Sequence, residues 1–147
     1  MPQATFTLGA FGILLDEENR VLLAHRRDFD CWNLPGGQVE SGKSPQLAVI
    51  REFLEETGLE VEIKRLLFVD SKPEKDDIVF TFLVRKIGGE LVLNNEADQL
   101  EYFDKKDLPE RLSPKQKTRI ERFFADLENP RTKLSEMSGP SSRDLFG

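Results

Sequence analysis

The chain has 147 residues, 38% of them hydrophobic and 33% charged, with a net charge of −6. That size and balance fit one soluble domain with a real core, and no apolar run reaches the roughly 20 residues of a membrane-spanning helix. The Lys and Arg residues are scattered through an acidic chain, so it lacks the basic patch that grips a nucleic-acid duplex.

In chain order, "FTLGAFGILL" and "RVLLAHRR" read as two strands around the turn "DEEN". The segment "DFDCWNLPGGQVESGK" is loop-like, punctuated by Pro35, Gly36, Gly37 and Gly42. Its Cys31 is the only cysteine and has no internal partner; with no basic secretory run at the start, this points to a reducing cytoplasm. Ser44 and Pro45 have the chemistry of an N-cap and a first helical residue, and Gly58 that of a C-terminal cap, which predicts a helix from Pro45 to Thr57.

Beyond it, "LEVEIKRLLFV" and "IVFTFLVRK" read as strands separated by the polar loop "DSKPEKDD", with Phe80 and Phe82 in the core. "IGGE" is a turn into "LVL", and "NNEADQLEYFDKKDLPERLSP" holds a loop, a short strand around Tyr102 and Phe103, and a turn. Ile120, Phe123, Phe124 and Leu127 are spaced as on an amphipathic helix that opens at Pro114. Residues 1–128 then form one domain, and residues 129–147, rich in Pro, Ser and Gly, read as a mobile tail. Strands, helix, strands, helix is the order of an α/β or α+β domain with a mixed sheet.

The predicted helix 45–57 carries the chemistry. Unrolled at about 100° per residue, it places Leu47, Val49, Ile50, Phe53 and Leu54 on one side and Glu52, Glu55 and Glu56 on the other. Three acids near a helix C-terminus repel one another and oppose the macrodipole. Either this is a solvated acidic face, eased by Arg51 pairing with Glu55, or the carboxylates converge on divalent cations, which take oxygen ligands.

Read whole, residues 37–59 resemble the Nudix box, the signature of the Nudix hydrolases. The spacing of Gly37, Arg51-Glu52-Phe53-Leu54-Glu55-Glu56-Thr57-Gly58-Leu59 matches throughout, and Lys43 replaces the usual glutamate. "VLLAHRR" and "WNLPGGQVESG" before the box, and "LEYFDKKDLP" after it, are similar to the family's flanks, so the resemblance covers roughly residues 5–127.

The resemblance implies an α/β/α sandwich with a mixed β-sheet and a loop-helix-loop box. It implies Mg²⁺- or Mn²⁺-dependent hydrolysis of a nucleoside diphosphate linked to another moiety. The implied metal ligands are Glu52, Glu55, Glu56 and the backbone carbonyl of Gly37, with Arg51 orienting a box glutamate. Glu52 is one general-base candidate; Glu96, in the loop before the Tyr-Phe strand, is either the other or a loop acid without a role. Arg26, Arg27 and Lys43 are candidate phosphate contacts, and Lys43 cannot pair with Arg51, so Glu40 or Glu55 is left to orient it. His25, the only histidine, reads as structural or peripheral to substrate.

"DSKPEKDD" resembles a loop of ADP-ribose-type members, which leans the substrate to ADP-ribose or another nucleotide sugar. The alternatives are a (d)NTP pyrophosphohydrolase and a non-catalytic nucleotide-binding module with a degenerate box. Many members pair as dimers, so a homodimer is part of the expectation.

Overall fold

The computed structural model describes residues 3–127 and 132–147. A five-stranded sheet runs in the order β4 (Gly36–Gln38), β1 (Thr7–Leu14), β6 (Asp77–Gly89), β5 (Leu59–Lys72) and β8 (Lys133–Glu136). The β1–β6 and β5–β8 pairs are parallel and the β1–β4 and β5–β6 pairs antiparallel, so the sheet is mixed as expected. A second, antiparallel sheet joins β3 (Trp32–Asn33), β2 (Val21–Arg26) and β7 (Ala97–Phe103).

Alternation along the strands splits the core in two. Ala10, Leu22, Val61 and Phe82 pack with Ala48, Val49 and Phe53 of α1 (Pro45–Thr57). Ile13, Val21, Leu23, Leu67 and Phe68 pack with Ile120 and Phe123 of α2 (Pro114–Ala125). Thr81 is as buried as Phe82, because β6 is an interior strand covered on both faces.

Local chemistry sets α1. The Ser44 hydroxyl accepts from Leu47 N, Pro45 occupies the first turn, and Gly58, left-handed at φ 80°, donates its N–H to the Leu54 carbonyl. A Cβ at Gly58 would lie 2.4 Å from the Glu90 carbonyl oxygen, so the chain returning from β6 presses against the helix end.

That return differs from the strand expected of "LVL". Residues 91–93 are exposed and outside any strand, held by Val92 N donating to Thr57 O at 2.9 Å. They wrap the end of α1 and deliver residues 94–96 beside its glutamates. The expected loop 70–77 is also shorter than predicted: β5 runs to Lys72, Pro73–Lys75 form one 3-10 turn, and β6 starts at Asp77.

The C-terminal segment departs most from the mobile tail expected. Residues 128–131 lie outside the described ones; residues 133–136 form β8 on the edge of the main sheet, and Ser142–Phe146 form the short helix α3. A charge cluster holds β8. Asp70, 1% exposed, accepts from Arg119 Nε at 2.8 Å, from Arg122 Nη2 at 2.9 Å and from the Ser135 hydroxyl. Lys133, Leu134, Ser135 and Glu136 show no hydrophobic period to betray a strand, and the partners of Ser135 lie 13 and 65 residues away.

Candidate active site

The helix presents its glutamates differently from the simple unrolling. Leu47 and Leu54 are exposed, while the Glu52 side chain is only 15% exposed. The inward stripe is Val49, Glu52, Phe53 and Glu56, spaced i, i+3, i+4, i+7. Its aliphatic half reaches the core, and its acidic half lies against β4.

β4 is shaped to meet it. Gly36 has φ 147°, and a Cβ there would come within 2.2 Å of the Ala10 carbonyl oxygen. Only glycine lets β4 lie this close to β1. Gly36 then donates its N–H to the Glu56 carboxylate at 3.0 Å. Gly37 sits beside Glu52, so that an added Cβ would lie 3.3 Å from a carboxylate oxygen.

Glu96 comes from the loop before β7. Carboxylate oxygens of Glu52, Glu55 and Glu96 lie within 4.8 Å of one another. Burial, then the charges of Glu96 and Glu55, push Glu52 up to about 7. Burial also pushes Glu56 up to about 8 against the Gly36 N–H bond, with help from Glu52 and Glu96. Oxygen-only donors that repel one another in a part-buried site fit a hard divalent cation such as Mg²⁺ or Mn²⁺. Glu56 is the deepest of the four and is tied to backbone.

Arg51 is clamped as one of the expected alternatives had it. Its two terminal nitrogens donate to Glu40 at 3.1 and 3.3 Å, and it lies 3.5 Å from Glu55 and 3.8 Å from Glu52. Glu40 thus supplies the charge that Lys43 lacks. Lys43 is exposed in the turn Glu40–Lys43, closed by Lys43 N donating to Glu40 O, and is absent from the described residues that line the cleft below. The structure does not bring it to the site as a phosphate contact.

A cleft of about 660 Å³ opens beside the carboxylates. Arg26, Arg27, Gly36, Gly37, Glu56 and Glu96 line one end, and Lys72, Lys75 and Lys115 the other. Arg26 is forked onto Asp28 at 2.6 and 2.7 Å and covers the Phe29 ring. Arg27 donates to the Asn94 carbonyl at 2.8 Å. His25 is held between Asp98 and Asp30 against Trp32, away from the carboxylates.

Asn94 is the residue that sequence reasoning missed. Its side-chain amide donates to the Glu55 carbonyl, and its Oδ1 accepts from Glu96 N at 2.8 Å and Ala97 N at 3.3 Å. It pins the Glu96 loop to the end of α1. The available signal was an Asn two residues before a candidate acid, the pattern of an Asx-turn.

Comparison with known proteins places this arrangement. An "ADP-ribose pyrophosphatase" of Methanocaldococcus jannaschii is 40% identical over 103 residues, covering 65% of this chain and 61% of that protein. The human "8-oxo-dGDP phosphatase NUDT18" is 35% identical over 104 residues, 66% of this chain and 32% of that one. This chain therefore spans less than two thirds of either relative. The crystal structure of a UDP-X diphosphatase superposes with a TM-score of 0.80 at 28% identity, over 92% of this chain and 69% of that one. The family model described as NUDIX domain matches residues 5–127, which takes in every strand but β8, the glutamate helix and the Glu96 loop, and the chain belongs to that family.

Proposed function

We propose that this chain is a divalent-cation-dependent pyrophosphohydrolase that cleaves the diphosphate of a nucleoside diphosphate linked to another moiety, with ADP-ribose as the leading substrate. The observation that carries this is the convergence of Glu52, Glu55 and Glu96, the last of which lines a nucleotide-sized cleft together with Glu56. The name and 40% identity of the archaeal relative support ADP-ribose. The name of the human relative supports the second reading, a (d)NTP pyrophosphohydrolase releasing a nucleoside monophosphate and pyrophosphate. A complete carboxylate set speaks against a purely binding module.

Glu52, Glu55, Glu56, Glu96 and the Gly37 carbonyl are the groups that would hold Mg²⁺ or Mn²⁺. When bound, such an ion neutralises phosphate charge and lowers the pKa of a coordinated water. The chain's own residues do the rest. Arg51, hydrogen-bonded to Glu40, holds Glu52 and Glu55 by charge, at 3.8 and 3.5 Å. Arg26 and Arg27 line the cleft where phosphate oxygens would pass. Glu52 or Glu96 accepts the proton of the attacking water at a carboxylate oxygen. The P–O bond to the departing phosphoryl group breaks as the new one forms. The chain works on a small-molecule nucleotide in the cytoplasm, and a homodimer remains part of the proposal. No helix among the described residues is long and apolar enough to cross a membrane.

A panel of ADP-ribose, nucleotide sugars and (d)NTPs, each with Mg²⁺ and with EDTA, tests the reading. ADP-ribose should give the highest kcat/KM, and EDTA should abolish turnover of every member. Preference for a (d)NTP would select the second reading, and tight nucleotide binding without any turnover would leave a binding module.

The bracing of Arg51 makes a sharper prediction. Glu40→Gln should lower kcat about tenfold, the cost of one charge-assisted pair, whereas Lys43→Glu should change it less than that. A gain well above tenfold in Lys43→Glu would show that Glu40 does not replace the missing box glutamate.

A further inference from the structure

Two lysines converge at the end of the cleft away from the carboxylates. Lys72 ends β5, and Lys115 lies in the first turn of α2. Both ammonium groups donate to the Gly139 carbonyl oxygen, at 3.1 and 3.2 Å. Lys72 is only 8% exposed. Among the described residues neither ammonium has an ion pair within 4.0 Å. Asp70 holds Arg119, Arg122 and Ser135; the exposed Glu74 and Asp144 feel the charge of Lys72, and Glu74 that of Lys115 as well, but both stay beyond ion-pair distance. Lys75 lines the same end of the cleft with Asp77, and Ser113 starts α2 without a side-chain cap.

Among the described residues one neutral carbonyl is the direct partner of both cations, and the exposed acids act on them only from beyond 4.0 Å. Burial and the neighbouring Lys72 bring Lys115 down to about 8, which reports the same imbalance. A dianion resolves it. A phosphate monoester carries close to two negative charges at neutral pH and offers three acceptor oxygens, against one charge for a carboxylate.

We propose that Lys72 and Lys115 form a subsite for a phosphate monoester that the substrate carries outside the diphosphate being cleaved. The Gly139 carbonyl fills its place when no substrate is bound. The continuity of the cleft from Glu56 and Glu96 to these lysines makes the occupant part of the substrate. Gly139 borders open space, since a Cβ built on it would meet no atom within 4 Å. The subsite deepens the proposed function and rests on it for the identity of its ligand.

Two measurements test it. In EDTA, inorganic phosphate is titrated calorimetrically into the wild-type chain, Lys115→Gln and Lys72→Met. Binding should weaken at least about tenfold in each variant, the loss expected for a charge-assisted hydrogen bond. With Mg²⁺, ADP-ribose is compared with 2′-phospho-ADP-ribose. The wild-type chain should favour the phosphorylated member about tenfold or more in kcat/KM, and Lys115→Gln should shrink that ratio mainly through KM. No phosphate binding, together with a ratio near one, overturns the subsite. Phosphate binding with a ratio near one makes the ligand free phosphate and overturns its assignment to substrate. If neither nucleotide is hydrolysed, the proposed function fails, and the phosphate titration alone decides the subsite.

Discussion

Glu52→Gln should lower kcat for diphosphate hydrolysis by about two to four orders of magnitude, the range for losing a positioned base or a ligand charge. Glu52 sits where the helix, β4 and the Glu96 loop meet, with a carboxylate oxygen within 4.8 Å of oxygens of Glu55 and Glu96. Glutamine keeps the shape and removes both the charge and the proton acceptor. Because the site holds acids that repel one another, the substitution should leave Tm unchanged or raise it when divalent ions are absent. Steady-state kinetics beside a thermal melt separates the two effects. Activity within tenfold of wild type would remove Glu52 from the machinery, and a large fall in Tm would make its role structural.

Asp70→Ala should be among the most destabilising substitutions in the chain. It leaves Arg119, 4% exposed, without its partner and detaches Ser135 of β8. Breaking a buried pair from one side costs about 3–5 kcal/mol, roughly 10 °C in Tm for a chain of this length. Burial disfavours the Asp70 carboxylate, but Arg119, Ser135 and Arg122 outweigh it and hold its pKa below the ordinary value. Its stabilisation is therefore complete above about pH 4 and is lost as pH falls through the lower folded value. As pH falls below about 4 the wild-type chain should lose more stability than the variant. A Tm shift under about 2 °C would show that the cluster does not hold the edge strand.

What the sequence disclosed was what short-range chemistry encodes. Ser44, Pro45 and Gly58 bound α1 at the expected residues because caps act within one turn. Of the box glutamates, Glu52 and Glu55 converge with Glu96 while Glu56 lies deeper on the Gly36 N–H, and the alternation of β1 and β5 matches strands between two cores. What stayed hidden depends on contacts between distant segments. A helical wheel cannot tell that Glu52 and Glu56 share the inward stripe with Val49 and Phe53, because that stripe runs past the apolar core onto β4 at the edge of the sheet. Asn94 acts by tying its own loop to Glu55, 39 positions away, and β8 is held by charges rather than by any apolar period.

The central claim is that the carboxylate site uses a divalent cation to hydrolyse a nucleotide diphosphate. Phosphorus NMR of ADP-ribose incubated with the wild-type chain tests it most directly. With Mg²⁺, the diphosphate resonances should give way to two phosphate monoester signals, those of AMP and ribose 5-phosphate, and with EDTA they should persist. Equal cleavage in EDTA, or intact substrate in Mg²⁺ for ADP-ribose and every other diphosphate tried, would contradict it.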